Sequence, residues 1–415
     1  MNERSLSRDE AGSAQDIQRA IDEMSRGGGR LVLPAMELVL DRGLALRSGV
    51  ELVGQGPRTV LRKGPGRVYP LSGYHNYGMA DVPLVSAAGL EPGMTVSVHD
   101  NRTHGGFYET FATISWVDGA WVGLDHGIEA DYRADEEPCL TTVYPLVFAH
   151  RVRGAALRNL RLEGSRDDND KAMGGCRGGA VYFYQCAGME VAGVEERDYR
   201  GEGLSFQMCR DVRIVDSRFD QNTGNGLHPG AGSTNALFEA CGGAGNERSG
   251  FFFCVRATRI TVRDSVFRDN GSGVSIGTRD CHNLLEGCTI EGNGGPGVLA
   301  RQTPSPTEVH SCEVRGNRIA GNCRTEGRGQ IEIVTDAHDL AIVGNEVAGN
   351  AARAAAGVFA EATARDLYLD GNAISGCEPG IAVPPSSLAR TRPAFECGYG
   401  TAGESDFRHL PHIAG

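Results

Sequence analysis

The chain has 415 residues, a formal net charge of −12 and 40% hydrophobic residues. An acidic balance argues against a nucleic-acid binder, whose electrostatic footprint is basic. No run approaches the ~18 apolar residues of a membrane-spanning helix, so no membrane partner is expected.

The first thirteen residues, MNERSLSRDEAGS, are charged throughout and have no apolar centre, so no secretory signal is visible. Residues 14–25 (AQDIQRAIDEMS) place Ile17, Ala20, Ile21 and Met24 on one helical face. Gly27 to Gly29 stop that helix, and Arg30 to Pro34 reads as a strand. The glycines precede a strand instead of linking strand to helix, so they are not a nucleotide loop; Gly230 to Ser233 likewise lacks the lysine of a phosphate loop. Further strands are expected at 38–40, 44–46, 50–53 and 59–62.

Residues 71–148 follow a different pattern. Gly93 to Asp100, Thr110 to Val117 and Trp121 to Asp125 read as antiparallel strands, with Asp118 and Gly119 as a hairpin turn. This insertion carries both tryptophans and His75, His99, His104 and His126, with His150 nearby. It is expected to stabilise an early coil or to wall a groove.

From Ala180 onward one phrase returns every 23 or 24 residues, at Ala180, Gly203, Gly226, Gly250, Gly273 and Gly297, then after longer spacings at Gln330, Gly357 and Gly380. Further apolar columns hold Ile214, Phe238, Val262, Leu285, Ile342 and Leu369, and Phe219, Phe267, Ile290, Val347 and Ile374. Between them runs a small or polar column: Ser217, Cys241, Ser265, Cys288, Asn345 and Asn372. Asn222, Asn246, Asn270, Asn293 and Asn350 close successive units, where asparagine tolerates left-handed angles and bonds neighbouring backbone. Period-two alternation, as at Val181 and Phe183, indicates strands. A repeat of this length means a solenoid whose units bury their apolar faces only by stacking. Three short parallel strands per coil make an all-β, right-handed parallel β-helix with an N-terminal capping helix. Residues 1–70 would hold the cap and first coils, 71–148 the insertion, 149–385 the regular coils and 386–415 a tail.

The stretch QDIQRAIDE…GGGRLVLP and the repeats resemble the pectate-lyase-like (pectin lyase-like) superfamily over about residues 1–70 and 150–385. That resemblance implies the β-helix fold and a carbohydrate partner. It leaves activity open among lyases, epimerases, hydrolases and phage adhesins.

Numbered from the first residue of each repeat, positions +1 and +3 should point inward and +2, +4 and +6 outward. The +2 column then presents Tyr182, Ser205, His228, Phe252, Ser275, Leu299, Glu332 and Phe359. At +4 come Tyr184, Gln207, Cys254, Arg301 and Glu361, and at +6 Cys186, Cys209, Arg256, Arg279 and Asp336. Aromatic rings stack on sugar faces, amides and hydroxyls match sugar hydroxyls, and arginine forks onto carboxylate. An acidic, elongated glycan fits this face.

His228 is the sharpest catalytic candidate, as base for a C5 proton. Arg256 or Arg279 would neutralise a uronate carboxylate, and Tyr182 or Tyr184 would protonate the leaving oxygen. Ser205, Gln207, Phe252, Ser275, Arg301, Glu332 and Glu361 would bind substrate. The reading is a polysaccharide lyase or C5-epimerase.

The alternative is a glycoside hydrolase, which needs two carboxylates ~5–9.5 Å apart. Glu332 with Glu361, or Glu202 with Asp198, would supply them. A third reading is a non-catalytic, tailspike-like or adhesin-like glycan binder. Asp167, Asp168 and Asp170 offer oxygens for Ca²⁺ but lack the EF-hand pattern, so either no cofactor or Ca²⁺ is expected. Asp280 and His282 are weaker ligand candidates. The tail shows no heptads, which leaves oligomeric state open, a homotrimer included.

None of the twelve cysteines forms a C-x-x-C pair or zinc spacing, and several occupy equivalent positions in the coils. Buried free thiols and the missing signal favour a cytoplasmic protein. A disulfide between neighbouring coils is the alternative, and a leader ahead of this N-terminus would make the protein secreted.

Overall fold

A computed structural model describes residues 2–100 and 109–403; His104 and residues 404–415 of the tail lie outside that range. The alternating apolar residues build a parallel β-solenoid. Eleven strands stack into a front sheet that begins Leu44–Ala45, Val147–His150, Val181–Tyr184, Leu204–Gln207, Leu227–Pro229 and ends at Ile381–Ala382. A 21-stranded sheet forms the other walls. It alternates longer strands such as Arg210–Val215 and Thr234–Glu239 with three-residue strands such as Arg218–Asp220 and Gly242–Ala244. Each regular coil therefore carries three strands, as the repeat implies.

Positions +1 and +3 point inward as expected: Val181, Phe183, Leu204, Phe206, Phe251 and Phe253 are all fully buried. Their rings continue from coil to coil. Phe206 stacks on Phe238 at 6.0 Å, and Phe251 meets Phe238 at 4.8 Å and Phe267 at 5.7 Å. Offset and edge contacts of this kind add to the burial of each ring.

Position +6 differs from the expectation. Cys186 and Cys209 are buried in the interior, not outward. The residues before them, Gln185 and Met208, have φ of 55° and 52°. A left-handed residue turns the chain through the corner, so strand alternation does not carry across it. Arg256 and Arg279 occupy this corner position themselves, with φ of 62° and 57°, and the next residues, Ala257 and Asp280, are buried.

The asparagine column is an internal amide ladder. Backbone N–H groups of Asn222, Asn246 and Asn270 donate to the side-chain oxygens of Asn246, Asn270 and Asn293 at 2.9–3.0 Å. The ladder continues through Asn322 to Gln330, and Asn350 is not part of it. The asparagines themselves are not left-handed. The preceding residues are, with Gln221, Gly245 and Asp269 at 60°, 67° and 55°. In the small-residue column, Asn317, Asn345 and Asn372 form a second ladder.

Asn270 also donates its amide to Gly243 O at 2.9 Å. Asn270→Ala should orphan Asn246 N–H, remove the amide bond to Gly243 O and cost roughly 1–3 kcal/mol of stability. Urea unfolding measures this; a loss below about 0.5 kcal/mol would mean that the ladder does not hold the corner.

At the N-terminal end, helix Ala14–Met24 buries Ile17, Ala20, Ile21 and Met24 over the first coil, with Asp16 N–H donating to the Ser13 hydroxyl at 3.1 Å. A strand not foreseen from the sequence, Glu3–Ser5, pairs in parallel with Gly29–Val32. Among the described residues no helix is long and apolar enough to cross a membrane.

The insertion is a six-stranded antiparallel sheet between the first and second front-sheet strands. It runs from Val68–Pro70 to Cys139–Thr142, so it starts earlier and ends earlier than 71–148. The hairpin pairs Asp118 with Trp121, and Gly119 takes φ of 58° between them. Val82, Val96, Val98, Ile114, Val122, Tyr132 and Leu140 give it a core of its own. Its face forms a wall beside the front sheet.

Candidate functional site

A cavity of about 450 Å³ opens between this wall and the front sheet. Its floor comes from two neighbouring strands in register, Phe148 beside Tyr182 and His150 beside Tyr184. The opposite side presents Phe111, Thr113, Asp125 and His126, and Met173, Cys176 and Arg177 line it as well. Apolar and aromatic walls with a few converging polar groups are the usual form of a ligand site.

The His150 ring lies 5.9 Å from Tyr182 and 6.0 Å from Tyr184, edge-on to both, and 5.3 Å from Phe148. The surrounding walls, together with the Arg151 charge, push its pKa below the ordinary histidine value against a weaker pull from Asp125. It stays accessible to solvent through the cleft. A neutral imidazole here is ready to accept a proton. Tyr182 donates its hydroxyl to Cys176 O at 3.1 Å, and burial raises its phenol well above the usual range. Arg177 lies 4.6 Å over the Phe111 ring and pairs with Glu129 at 3.0 Å. On the far wall His126 Nδ1 sits 2.9 Å from Asp125 Oδ1, which also accepts Thr113 N–H at 2.8 Å.

Of the residues expected on the outward face, only Tyr182 and Tyr184 line this cleft. The face next to them is covered by the chain itself. Residues 173–178 cross it as a strap. Met173 bridges to Gly201, Gly175 N–H donates to Glu202 Oε1 at 3.1 Å, and Cys176 Sγ lies 3.4 Å from Cys254 Sγ. Under and beside the strap, Ser205, Gln207, His228 and Ser275 are at most 2% exposed. His228 is therefore not an open groove residue. It sits 3.6 Å from Glu202 Oε2 through Nδ1 and edge-on to Phe252 at 5.0 Å. Burial pushes the Glu202 carboxyl up, but His228 and the Asn225 N–H outweigh it and hold it below its ordinary value. Gln207 donates to Ser205 Oγ at 3.0 Å and accepts from Ala231 N–H at 2.5 Å, so its amide is committed internally.

The arginines do not form a track. Arg256 and Arg279 stand at corners, where the left-handed backbone removes them from the strand face. Arg301 folds back over the Phe252 ring at 4.1 Å and donates to Ser275 Oγ at 2.9 Å and Phe253 O at 2.8 Å. Glu332 and Glu361 share one cation, Arg328, at 2.9 and 3.0 Å, over the Phe359 ring at 4.2 Å. Both carboxylates are held in one ion-pair cluster. Asp198 pairs with Arg166 at 3.0 Å, not with Glu202.

Asp167, Asp168 and Asp170 are exposed. Among the described residues, the clusters with metal-ligand spacing are Cys176–His228–Cys254 and Cys281–His282–His310, neither of which includes these aspartates. Asp280 is fully buried and accepts backbone N–H bonds from Ala257 and Gly277. His282 Nδ1 bonds Glu396 O at 2.9 Å.

Sequence reasoning missed Phe148, His150 and Arg177 as site residues. The Val147–Ala149 alternation marks a front-sheet strand, but 34 residues separate Val147 from its partner Val181, against 23 from Val181 to Leu204. The long turn that hides this coil in the sequence is the one that supplies the strap.

The family model described as "Right handed beta helix region" matches residues 168–319. Among solved structures, the A-module of mannuronan C-5 epimerase AlgE6 from Azotobacter vinelandii superposes with a TM-score of 0.61 at 17% identity, covering 90% of this chain and 93% of that one. The A-module of AlgE4 from the same organism gives 0.54 at 17% identity, covering 94% and 96%. At this identity the likeness is one of fold. No curated protein matches the chain by sequence. The chain thus has a right-handed parallel β-helix fold.

Proposed function

We propose that the protein is a carbohydrate-active enzyme that takes a uronate-containing glycan into the cleft between insertion and front sheet and abstracts its C5 proton, as a lyase or C5-epimerase. The observation that carries this reading is His150, its pKa lowered, set between Tyr182 and Tyr184 on the floor of an aromatic-lined cleft. Two β-helix neighbours with similar folds are named as mannuronan C-5 epimerases, in accord with it.

In this reading the aromatic rings receive the apolar face of a sugar ring. Arg177 faces the carboxylate, which acidifies the C5 proton by stabilising the developing negative charge. His150 removes that proton. In elimination the electron pair forms the C4–C5 double bond, the C4–O bond breaks, and the Tyr184 phenol protonates the departing oxygen. In epimerisation the proton returns from the other face of the ring. His126, held by Asp125 on the opposite wall, is placed to give it.

The test is a panel of uronate glycans, each incubated with and without Ca²⁺. Ultraviolet absorbance of unsaturated uronate is followed beside a reducing-end assay. Absorbance with new ends identifies a lyase. New ends without absorbance would overturn the reading in favour of hydrolysis. Binding without either signal or C5 inversion would leave a glycan-binding β-helix. A response to Ca²⁺ would assign part of the carboxylate neutralisation to the metal instead of Arg177.

A further inference from the structure

We propose that Cys176, His228 and Cys254 form a binding site for a thiophilic divalent cation of the zinc class, which pins the strap to the front sheet. The site is distinct from the sugar chemistry above and stands without it. Its ligand atoms all lie within 4.8 Å of one another. The two sulfurs, 3.4 Å apart, are close to the ~3.8 Å that separates thiolates on a tetrahedral ion with ~2.3 Å bonds.

A second observation points to the same ligand. His228 is 2% exposed, yet neither ring nitrogen has a partner at hydrogen-bond distance, the nearby Glu202 Oε2 standing 3.6 Å from Nδ1. A buried imidazole without a close hydrogen bond is costly unless something else satisfies it. Nδ1 is turned toward Glu202 Oε2 at 3.6 Å, which leaves Nε2 for a metal. Glu202 is itself fixed by the N–H groups of Gly175 and Asn225. A carboxylate behind a histidine in this way sets the ring orientation of many zinc ligands.

The donor set selects the ion. Two thiolates and an imidazole suit zinc, whereas Ca²⁺ and Mg²⁺ require oxygen ligands. Three protein ligands leave a fourth coordination position for a further ligand, as in three-ligand zinc sites. On binding, both thiols give up their protons and the metal replaces them. Cys254 and His228 come from the body of the helix and Cys176 from the strap, so the ion would join the two. The strap also carries Arg177 and borders the cleft. Metal binding would thereby fix one side of the cleft.

The experiment uses the whole chain, reduced and stripped with chelator, then titrated with Co²⁺ and Zn²⁺. Expected is a sulfur-to-Co²⁺ charge-transfer band with tetrahedral visible bands, displaced by Zn²⁺, and a rise in Tm with Zn²⁺. Cys176→Ser, on the strap, should lose about half of the charge-transfer intensity and most of the Tm shift, while His228→Ala should lose the tetrahedral spectrum. Should His228→Ala fail to fold, the Cys176→Ser spectrum decides. Cys281→Ser serves as control for the Cys281–His282–His310 cluster and should leave the band unchanged. No charge-transfer band in wild type, a band lost only in Cys281→Ser, or a Cys176–Cys254 disulfide that re-forms in place of metal uptake would each overturn the proposal.

Discussion

His150→Ala should lower turnover of a uronate glycan by roughly 10²–10⁴-fold, the usual contribution of a positioned proton-transfer group. The ring lies at the solvent-accessible floor of the cleft, so its removal leaves no core cavity and the variant should remain folded. A base acts in its neutral form. Because the cleft walls and Arg151 lower the His150 pKa, the acid limb of kcat/KM should fall below the ordinary histidine value of 6.5. Steady-state kinetics against pH measure both effects. A folded His150→Ala variant with wild-type kcat would remove His150 from the mechanism. Tyr184→Phe should lower kcat with little change in KM, since it keeps the ring that packs on the sugar and removes only the proton.

Asp280→Ala should cost roughly 2–4 kcal/mol, because it removes a buried carboxyl that accepts backbone hydrogen bonds. Asp280 is fully buried. It accepts from Ala257 N–H at 2.9 Å and Gly277 N–H at 2.7 Å, and Arg301 stands 3.8 Å away. Without it Gly277 N–H loses its acceptor, Ala257 N–H keeps only Cys254 O at 3.0 Å, and Arg301 loses a polar neighbour. Burial outweighs these partners and raises the Asp280 carboxyl to about 8. A carboxyl with a folded pKa above its unfolded value binds more protons in the native state between the two. Its stabilising contribution is complete below the ordinary aspartate value of 3.8 and declines as pH rises toward about 8. Denaturant unfolding at several pH values checks both points: Asp280→Asn should flatten that slope, and a wild-type slope in the variant would assign it elsewhere.

The coils were legible because solenoid stacking writes the same physical demand into every repeat. Phe183, Phe206 and Phe251 fill equivalent inward positions, and Asn246, Asn270 and Asn293 satisfy equivalent corners. Outward positions carry no such constraint. Alternation places Ser205, Gln207 and His228 on the outer face, but it cannot say whether that face meets water or another segment. The strap that covers them lies in a turn of irregular sequence, and its contacts with Glu202 and Cys254 join residues 27 and 78 positions apart. The corners were misread for a local reason: Gln185, Met208, Arg256 and Arg279 adopt left-handed angles without being glycine or asparagine, so nothing in their type announced the turn. The insertion strands were legible from their own alternation. Their docking over Phe148 and His150 was not, because it depends on surfaces formed only after both parts fold.

The most direct test of the account follows the C5 proton itself. Uronate glycans are incubated with the protein in D₂O and examined by NMR, in wild type and in His150→Ala. Proton abstraction in the cleft predicts deuterium at C5 with inversion, or loss of the C5 proton to a double bond, in wild type and a large reduction in the variant. Retention of every C5 proton across the panel, or equal exchange in both proteins, would contradict it.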